Sequence, residues 1–183
     1  MRLKDKTAII TGGGSGIGLA TARAFCKEGA KVILFGRQKE KLISAANELG
    51  DSALIVQGDM TKNVDLDQLV NNTLNNFKGI DILVNSAGLF NGAPLHEISD
   101  SQWDGIMDIN IRSVFQLTRR VLPTMIAQKN GSIVHISSIA GLIALPGVAA
   151  YNVSKGALNQ FSRSIAVEYG SYGIRSNSIC PGL

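Results

Sequence analysis

Six short runs rich in β-formers, most of them nearly all apolar, recur along this chain at positions 7–11, 31–35, 53–56, 81–85, 132–137 and 174–180. Helical patterns fill the gaps. One helix is predicted over 17–28, stopping at Gly29, and another carries Leu42, Ala45, Ala46 and Leu49 on one face and ends at Gly50. Leu66, Leu69, Val70, Leu74 and Phe77 mark a third. A long helical stretch covers 101–128 with a kink or break expected at Pro123, and a last helix covers 150–169. Strands this apolar need cover on both faces, and strand–helix alternation with right-handed crossovers supplies it. The expected fold is α/β: a single domain over 1–183, with a doubly wound, Rossmann-type parallel sheet in three αβα layers.

Composition narrows the class. With 183 residues, 45% hydrophobic and 17% charged, the chain can bury a core and is not of the disordered type. The net charge of +4 is scattered, with no basic run beyond Arg119-Arg120, so no nucleic-acid partner is expected. Cys26 and Cys180 match no metal spacing, and both read as buried thiols of a reducing compartment. The longest apolar stretch, 139–150, is broken by Gly141, Pro146 and Gly147 and is too short for a bilayer. The start runs straight into a strand without a signal peptide, so a cytoplasmic protein is expected. The final residues follow directly on a strand, where a doubly wound sheet would normally continue, so a missing C-terminal part is also expected.

The first strand opens into Thr11-Gly12-Gly13-Gly14-Ser15-Gly16-Ile17-Gly18 and then a helix. Glycines at 12, 16 and 18 let a backbone turn sharply and approach a pyrophosphate, while the helix start offers N–H donors and positive dipole. The spacing is G-x-x-x-G-x-G, and a glycine-collecting loop is the plain alternative. At the end of the second strand stand Gly36 and Arg37, where an acid would bind the 2′-hydroxyl of NAD. A guanidinium there suits a 2′-phosphate, which favours NADP(H) over NAD(H); a solvated first-turn arginine is the alternative. Asp59 and the run Asn85-Ser86-Ala87-Gly88 fall at strand C-terminal ends, the ligand edge of such sheets, though turn residues collect there too.

Tyr151 and Lys155 lie four apart on one predicted helix face, thirteen residues beyond Ser138. A free tyrosine titrates at about 10, too high for neutral acid–base work, and a nearby cation favours its phenolate. Ser138 ends a strand at the same sheet edge, where its hydroxyl could bond a substrate carbonyl or simply close a turn. Asn110 sits in a predicted helix, where asparagine is a poor choice; it serves the site or bends the helix. The set points to hydride transfer between a nicotinamide cofactor and a carbonyl or alcohol. A Ser–His hydrolase is a poor reading: only His96 and His135 are present, no G-x-S-x-G elbow occurs, and His135 lies inside the fifth strand as a packing residue.

Thr11-Gly12-x-x-x-Gly16-Ile17-Gly18, Asp59, Asn85-Ser86-Ala87-Gly88, Asn110, Ser138, Tyr151-x-x-x-Lys155 and Pro181-Gly182, in this order and spacing, resemble the short-chain dehydrogenase/reductase family over essentially the whole chain. The spacing is most similar to that of 3-oxoacyl-carrier-protein reductases. The resemblance implies Tyr151 as general acid/base and Lys155 as the group that lowers its pKa and holds the nicotinamide ribose. Ser138 would position the substrate oxygen, and Asn110 would hold a water in a proton relay to Lys155. It also implies cofactor contacts from Gly12, Ser15, Gly16, Ile17, Gly18, Arg37, Asp59, Met60, Asn85, Ala87, Gly88, Pro181 and Gly182. The implied activity is a reversible NADP(H)-dependent reduction of a small-molecule carbonyl, a 3-oxoacyl thioester or small ketone, by a homo-oligomer, tetramer or dimer. A non-catalytic nucleotide-binding or assembly protein of the same fold is the alternative. Two departures stand out: Ser86 where the family usually has asparagine, and an ending earlier than family members usually show.

Overall fold

The computed structural model describes residues 1–182. Six strands form one sheet: β1 (Thr7–Thr11), β2 (Lys31–Gly36), β3 (Ala53–Gln57), β4 (Ile82–Asn85), β5 (Gly131–Ile136) and β6 (Ile174–Ile179). All pairings are parallel, in the order β3-β2-β1-β4-β5-β6. The order reverses between β1 and β4, which opens a crevice at their C-terminal ends.

Both faces of the sheet are covered. Side chains alternate along each strand, so Ala8 and Ile10 face one way and Ile9 the other. Ala8, Ile10, Val32 and Leu34 pack with Ala22 of α1 (Gly16–Lys27) and with Leu42 and Ala45 of α2 (Lys39–Leu49). Ile9, Ile33, Leu83 and Ile133 pack with Leu66 and Leu69 of α3 (Asn63–Phe77). Leu117 and Val121 of α5 (Ser113–Gln128) and Ile165 of α6 (Ala149–Tyr169) complete that layer. The doubly wound three-layer architecture expected from the alternation is therefore present, and element ends agree with the expected ones to within a residue or two.

The 101–128 stretch departs from expectation. It is two helices, α4 (Asp100–Met107) and α5, joined by a π-helical turn over Asp108–Arg112. Pro123 stands inside α5 without ending it. The turn follows the bonds of Asn110, whose side chain is 1% exposed. Its Oδ1 accepts from the Leu89 N–H at 2.7 Å, and its Nδ2 donates to the Leu89 carbonyl at 2.9 Å and to Ser154 Oγ at 3.0 Å. The Ser113 hydroxyl donates to the Ile109 carbonyl within the same turn. One extra residue rotates Asn110 into the interior, a common use of a π-bulge. Ser99 and Gln102 form a capping box that starts α4.

The cysteines are corrected as well. Cys26 and Cys180 are free but partly exposed rather than buried, and Cys180 follows β6 rather than lying within it. Burial still pushes the Cys26 thiol up.

Candidate active site

The glycine turn is built by backbone clearance. Gly12 adopts φ +66°, and a Cβ there would stand 3.1 Å from the Ala87 nitrogen. A Cβ at Gly18 would stand 2.4 Å from the Gly12 carbonyl oxygen, so only glycine lets α1 begin against the turn. Gly16, at φ +52°, has nothing within 4 Å of its Cβ position and opens toward the crevice. The Thr11 hydroxyl accepts from the N–H groups of Ser86 and Ala87 at 3.0 Å each and ties the end of β4 to the turn.

A cleft of about 480 Å³ runs along this edge. Of the residues expected to touch a cofactor, Gly12, Ser15, Gly16, Ile17, Arg37, Asp59, Met60, Ala87 and Gly88 line it. Gly18 is buried beneath the turn and shapes it instead. The side chain of Asn85 also lies elsewhere, inside the sheet with Nδ2 at 3.3 Å from His135 Nδ1, so its contribution to a cofactor site is indirect. Asp59 is held below the usual carboxylate range, chiefly by the Thr61 N–H and also by the nearby Arg37. The chemistry fits a dinucleotide: a glycine turn at a helix start, a carboxylate, and cationic groups at the far end. Lys41 joins Arg37 on the lining. It was missed in the sequence, although a lysine in the first turn of α2, one turn beyond Arg37, opposes the helix dipole and so signals another use.

The second half of the site, Ser138, Tyr151 and Lys155, stands just beyond β5 and on α6, and none of the three lines the cleft. Ser138 lies two residues beyond β5, and its Oγ accepts from the Ala140 N–H at 3.1 Å, so its own proton stays available for donation. Lys155 is 5% exposed. Its Nζ donates to the Ile136 carbonyl at 2.8 Å and lies 5.5 Å from the centroid of the Tyr151 ring. Burial lowers its pKa to about 8. The Ser137 hydroxyl donates to the Lys155 carbonyl at 3.2 Å, which holds α6 against β5. The Pro181 carbonyl accepts from the Ile139 N–H at 2.8 Å, which brings the end of the described chain beside Ser138. Asn110 is brought to the same region, but its side chain is committed to Leu89 and Ser154 and holds the loop after β4 in place.

His135 is a packing histidine, as its strand position suggested. It is fully buried, near the Phe161 ring, and burial with the nearby Lys155 lowers its pKa to about 4. Among the described residues, no helix is long and apolar enough to cross a membrane.

Comparison with known proteins agrees with this geometry. Residues 6–183 match the family model described as short chain dehydrogenase. An uncharacterized oxidoreductase of Staphylococcus aureus (strain MRSA252) is 37% identical over 182 residues, covering 99% of this chain and 79% of that protein. An uncharacterized oxidoreductase of Thermotoga maritima is 40% identical over 185 residues, covering 100% of this chain and 73% of the relative. Among solved structures, a 3-ketoacyl-(acyl-carrier-protein) reductase from Brucella melitensis complexed with NADH is similar, with a TM-score of 0.96 and 33% identity. That alignment covers 98% of this chain and 76% of the other.

Proposed function

This chain belongs to the short-chain dehydrogenase family of nicotinamide-dependent oxidoreductases, and from that premise we propose that it is an NADPH-dependent carbonyl reductase, reversible as an alcohol dehydrogenase. The observation that carries the proposal is the buried Lys155 ammonium, held by the Ile136 carbonyl and set against the Tyr151 ring one helical turn away. A cation there can balance the negative charge that proton transfer leaves on the tyrosine oxygen.

The nicotinamide, when bound, supplies or accepts the hydride. Gly12, Gly16 and the start of α1 would hold its pyrophosphate, and Asp59 and Met60 would lie at the adenine end. In the reductive direction Tyr151 gives its hydroxyl proton to the carbonyl oxygen, yielding the alcohol, and is reprotonated from solvent. Ser138 would donate a hydrogen bond to the same oxygen and orient it, keeping its own proton. Lys155 balances the phenolate left behind. The preference for NADPH rests on Arg37 and Lys41, two cations of the cleft lining that would face a 2′-phosphate, with no acid at the end of β2 to bond a ribose hydroxyl.

A 3-oxoacyl thioester or small ketone is the substrate type we propose, in line with the Brucella relative, a 3-ketoacyl-(acyl-carrier-protein) reductase. We also propose a cytoplasmic homo-oligomer, tetramer or dimer; exposed Phe115, Val153 and Val167 on α5 and α6 support association, and sedimentation tests it. The central test is Tyr151→Phe. It should abolish NADPH-dependent carbonyl reduction and retain NADPH binding; turnover near that of the unchanged protein would overturn the mechanism.

A further inference from the structure

Two loops meet beside Tyr151 and form one wall. The first follows β4 and the second joins β5 to α6. A parallel bridge between Ala93 and Val148 links them. A Cβ at Gly92 would stand 2.9 Å from the Gly147 carbonyl oxygen, so the link leaves no room for a side chain between the two backbones. The second loop is braced from α6. The Leu145 N–H donates to Asn152 Oδ1 at 3.3 Å, Asn152 Nδ2 donates to the Leu145 carbonyl at 2.8 Å, and Asn159 Nδ2 donates to the Gly141 carbonyl at 3.0 Å. The wall is a fixed surface of folded backbone.

Its chemistry is uniform. From 86 to 95 and from 136 to 154 the chain contains no Asp, Glu, Lys, Arg or His. Lys155 follows, but its ammonium is buried and bonded to Ile136. Phe90, Leu95, Leu142 and Ile143 stand out from the wall, between 55% and 68% exposed. Phe90 meets the Tyr151 ring edge-on at 4.9 Å and 83°. Apolar side chains left in water on loops that flank a site residue are the usual lining of a small-molecule site.

Any carbonyl whose oxygen reaches the Tyr151 hydroxyl must lay a flanking group along this wall. An alkyl or aryl group gains there by leaving water, and an aromatic group gains more beside Phe90. A carboxylate in the same place loses hydration and finds no cation on either loop. We infer that the substrates of this chain are ketones or aldehydes whose groups next to the carbonyl are uncharged and apolar, seated against Phe90, Leu142 and Ile143. Any charge a substrate carries lies farther from the carbonyl than the wall extends. This inference rests on the reductase reading above.

The test uses a matched pair, acetophenone and 4-acetylbenzoate, which share a carbonyl and differ by one carboxylate. NADPH oxidation is followed with each, alongside NADPH binding by fluorescence. The expected kcat/KM for acetophenone exceeds that for 4-acetylbenzoate by about tenfold or more, as for a ligand charge desolvated without a partner. Leu142→Arg, at an exposed position, should narrow or reverse that ratio by giving the carboxylate a partner. Equal efficiency on the two ketones overturns the inference and leaves the reductase reading intact, as does a ratio unmoved in Leu142→Arg. Reduction of a 3-oxoacyl thioester but of neither ketone overturns this inference alone, and NADPH binding with reduction of none of the three overturns the reductase reading and this inference with it.

Discussion

Acid should weaken this protein through one histidine. His135 lies on β5 between Asn85 of β4 and Ser178 of β6 in the strand register, fully buried, with its Nε2 unpartnered. Burial, with the nearby Lys155 adding to it, lowers its pKa from 6.5 to about 4. The unfolded chain therefore binds a proton as pH falls below 6.5, while the folded chain resists until about pH 4. The unfolded state holds more protons across that window, so stability falls as pH falls through it. At about 1.4 kcal/mol per tenfold, the full window is worth about 3 kcal/mol, and most of that is lost by pH 4.5.

Denaturant unfolding of the unchanged protein and of His135→Asn, each at pH 7 and pH 4.5, isolates the effect. Carboxylates titrate alike in both, so their contribution cancels. The unchanged protein should lose about 2 to 3 kcal/mol more than His135→Asn between the two pH values. Lys155→Met removes the smaller of the two causes and should shrink the loss slightly. Equal losses in the unchanged protein and His135→Asn would show that His135 is protonated in the folded state without penalty, and the argument from burial would fail.

Three further outcomes follow from contacts already described. Gly18→Ala drives a Cβ into the Gly12 carbonyl and should weaken NADPH binding at least about tenfold while lowering the thermal midpoint, read by fluorescence titration and a melt. Asn110→Ala strands the Leu89 N–H and the other partners of that side chain; it should cost about 2 to 3 kcal/mol in denaturant unfolding and lower kcat as well as stability. Arg37→Ala and Lys41→Ala should each weaken NADPH binding about tenfold and leave NADH binding nearly unchanged; equal effects on both nucleotides would remove the 2′-phosphate role.

Local pattern carried the sheet. Each strand in the sequence is a short apolar or β-rich run bounded by turn residues, and burial on both faces leaves such runs little alternative. The glycine turn was equally legible, because φ +66° at Gly12 and the clearance at Gly18 demand the residue type itself. The π-turn was not. Asn110 looked out of place in a helix, but its partners are Leu89 and Ser154, 21 and 44 residues away, and no local period encodes them. Pro123 drew the expected break instead; α5 runs through it, with Val121, Leu122 and Met125 buried on either side. Lys41 escaped because its role depends on α2 packing against the turn: a Cβ at Gly14 would stand 3.2 Å from Lys41 Cβ. The cysteines were misplaced for a similar reason, since sequence position within an element does not say which side faces water.

The two halves of the site are joined by one path of hydrogen bonds. The Thr11 hydroxyl at the glycine turn accepts from Ser86 and Ala87. Three residues on, the Leu89 N–H donates to Asn110, whose Nδ2 donates to Ser154 Oγ at 3.0 Å. Ser154 Oγ in turn donates to the Tyr151 carbonyl at 2.8 Å. The loop after β4 is thus pinned at one end by the turn that would hold the nucleotide and at the other by the helix that carries Tyr151, the proton donor we propose. Hydride transfer tolerates little error in distance, since misplacement by about 1 Å can cost about a hundredfold. A short, largely part-buried chain of bonds sets that distance more firmly than the exposed Phe90 and Leu95 of the same loop could. Thr11→Val, which keeps the shape and removes the hydroxyl, should therefore lower kcat more than it weakens NADPH binding. A loss of binding with kcat unchanged would mean that Thr11 shapes the nucleotide turn alone and that the path to Tyr151 carries no positional load.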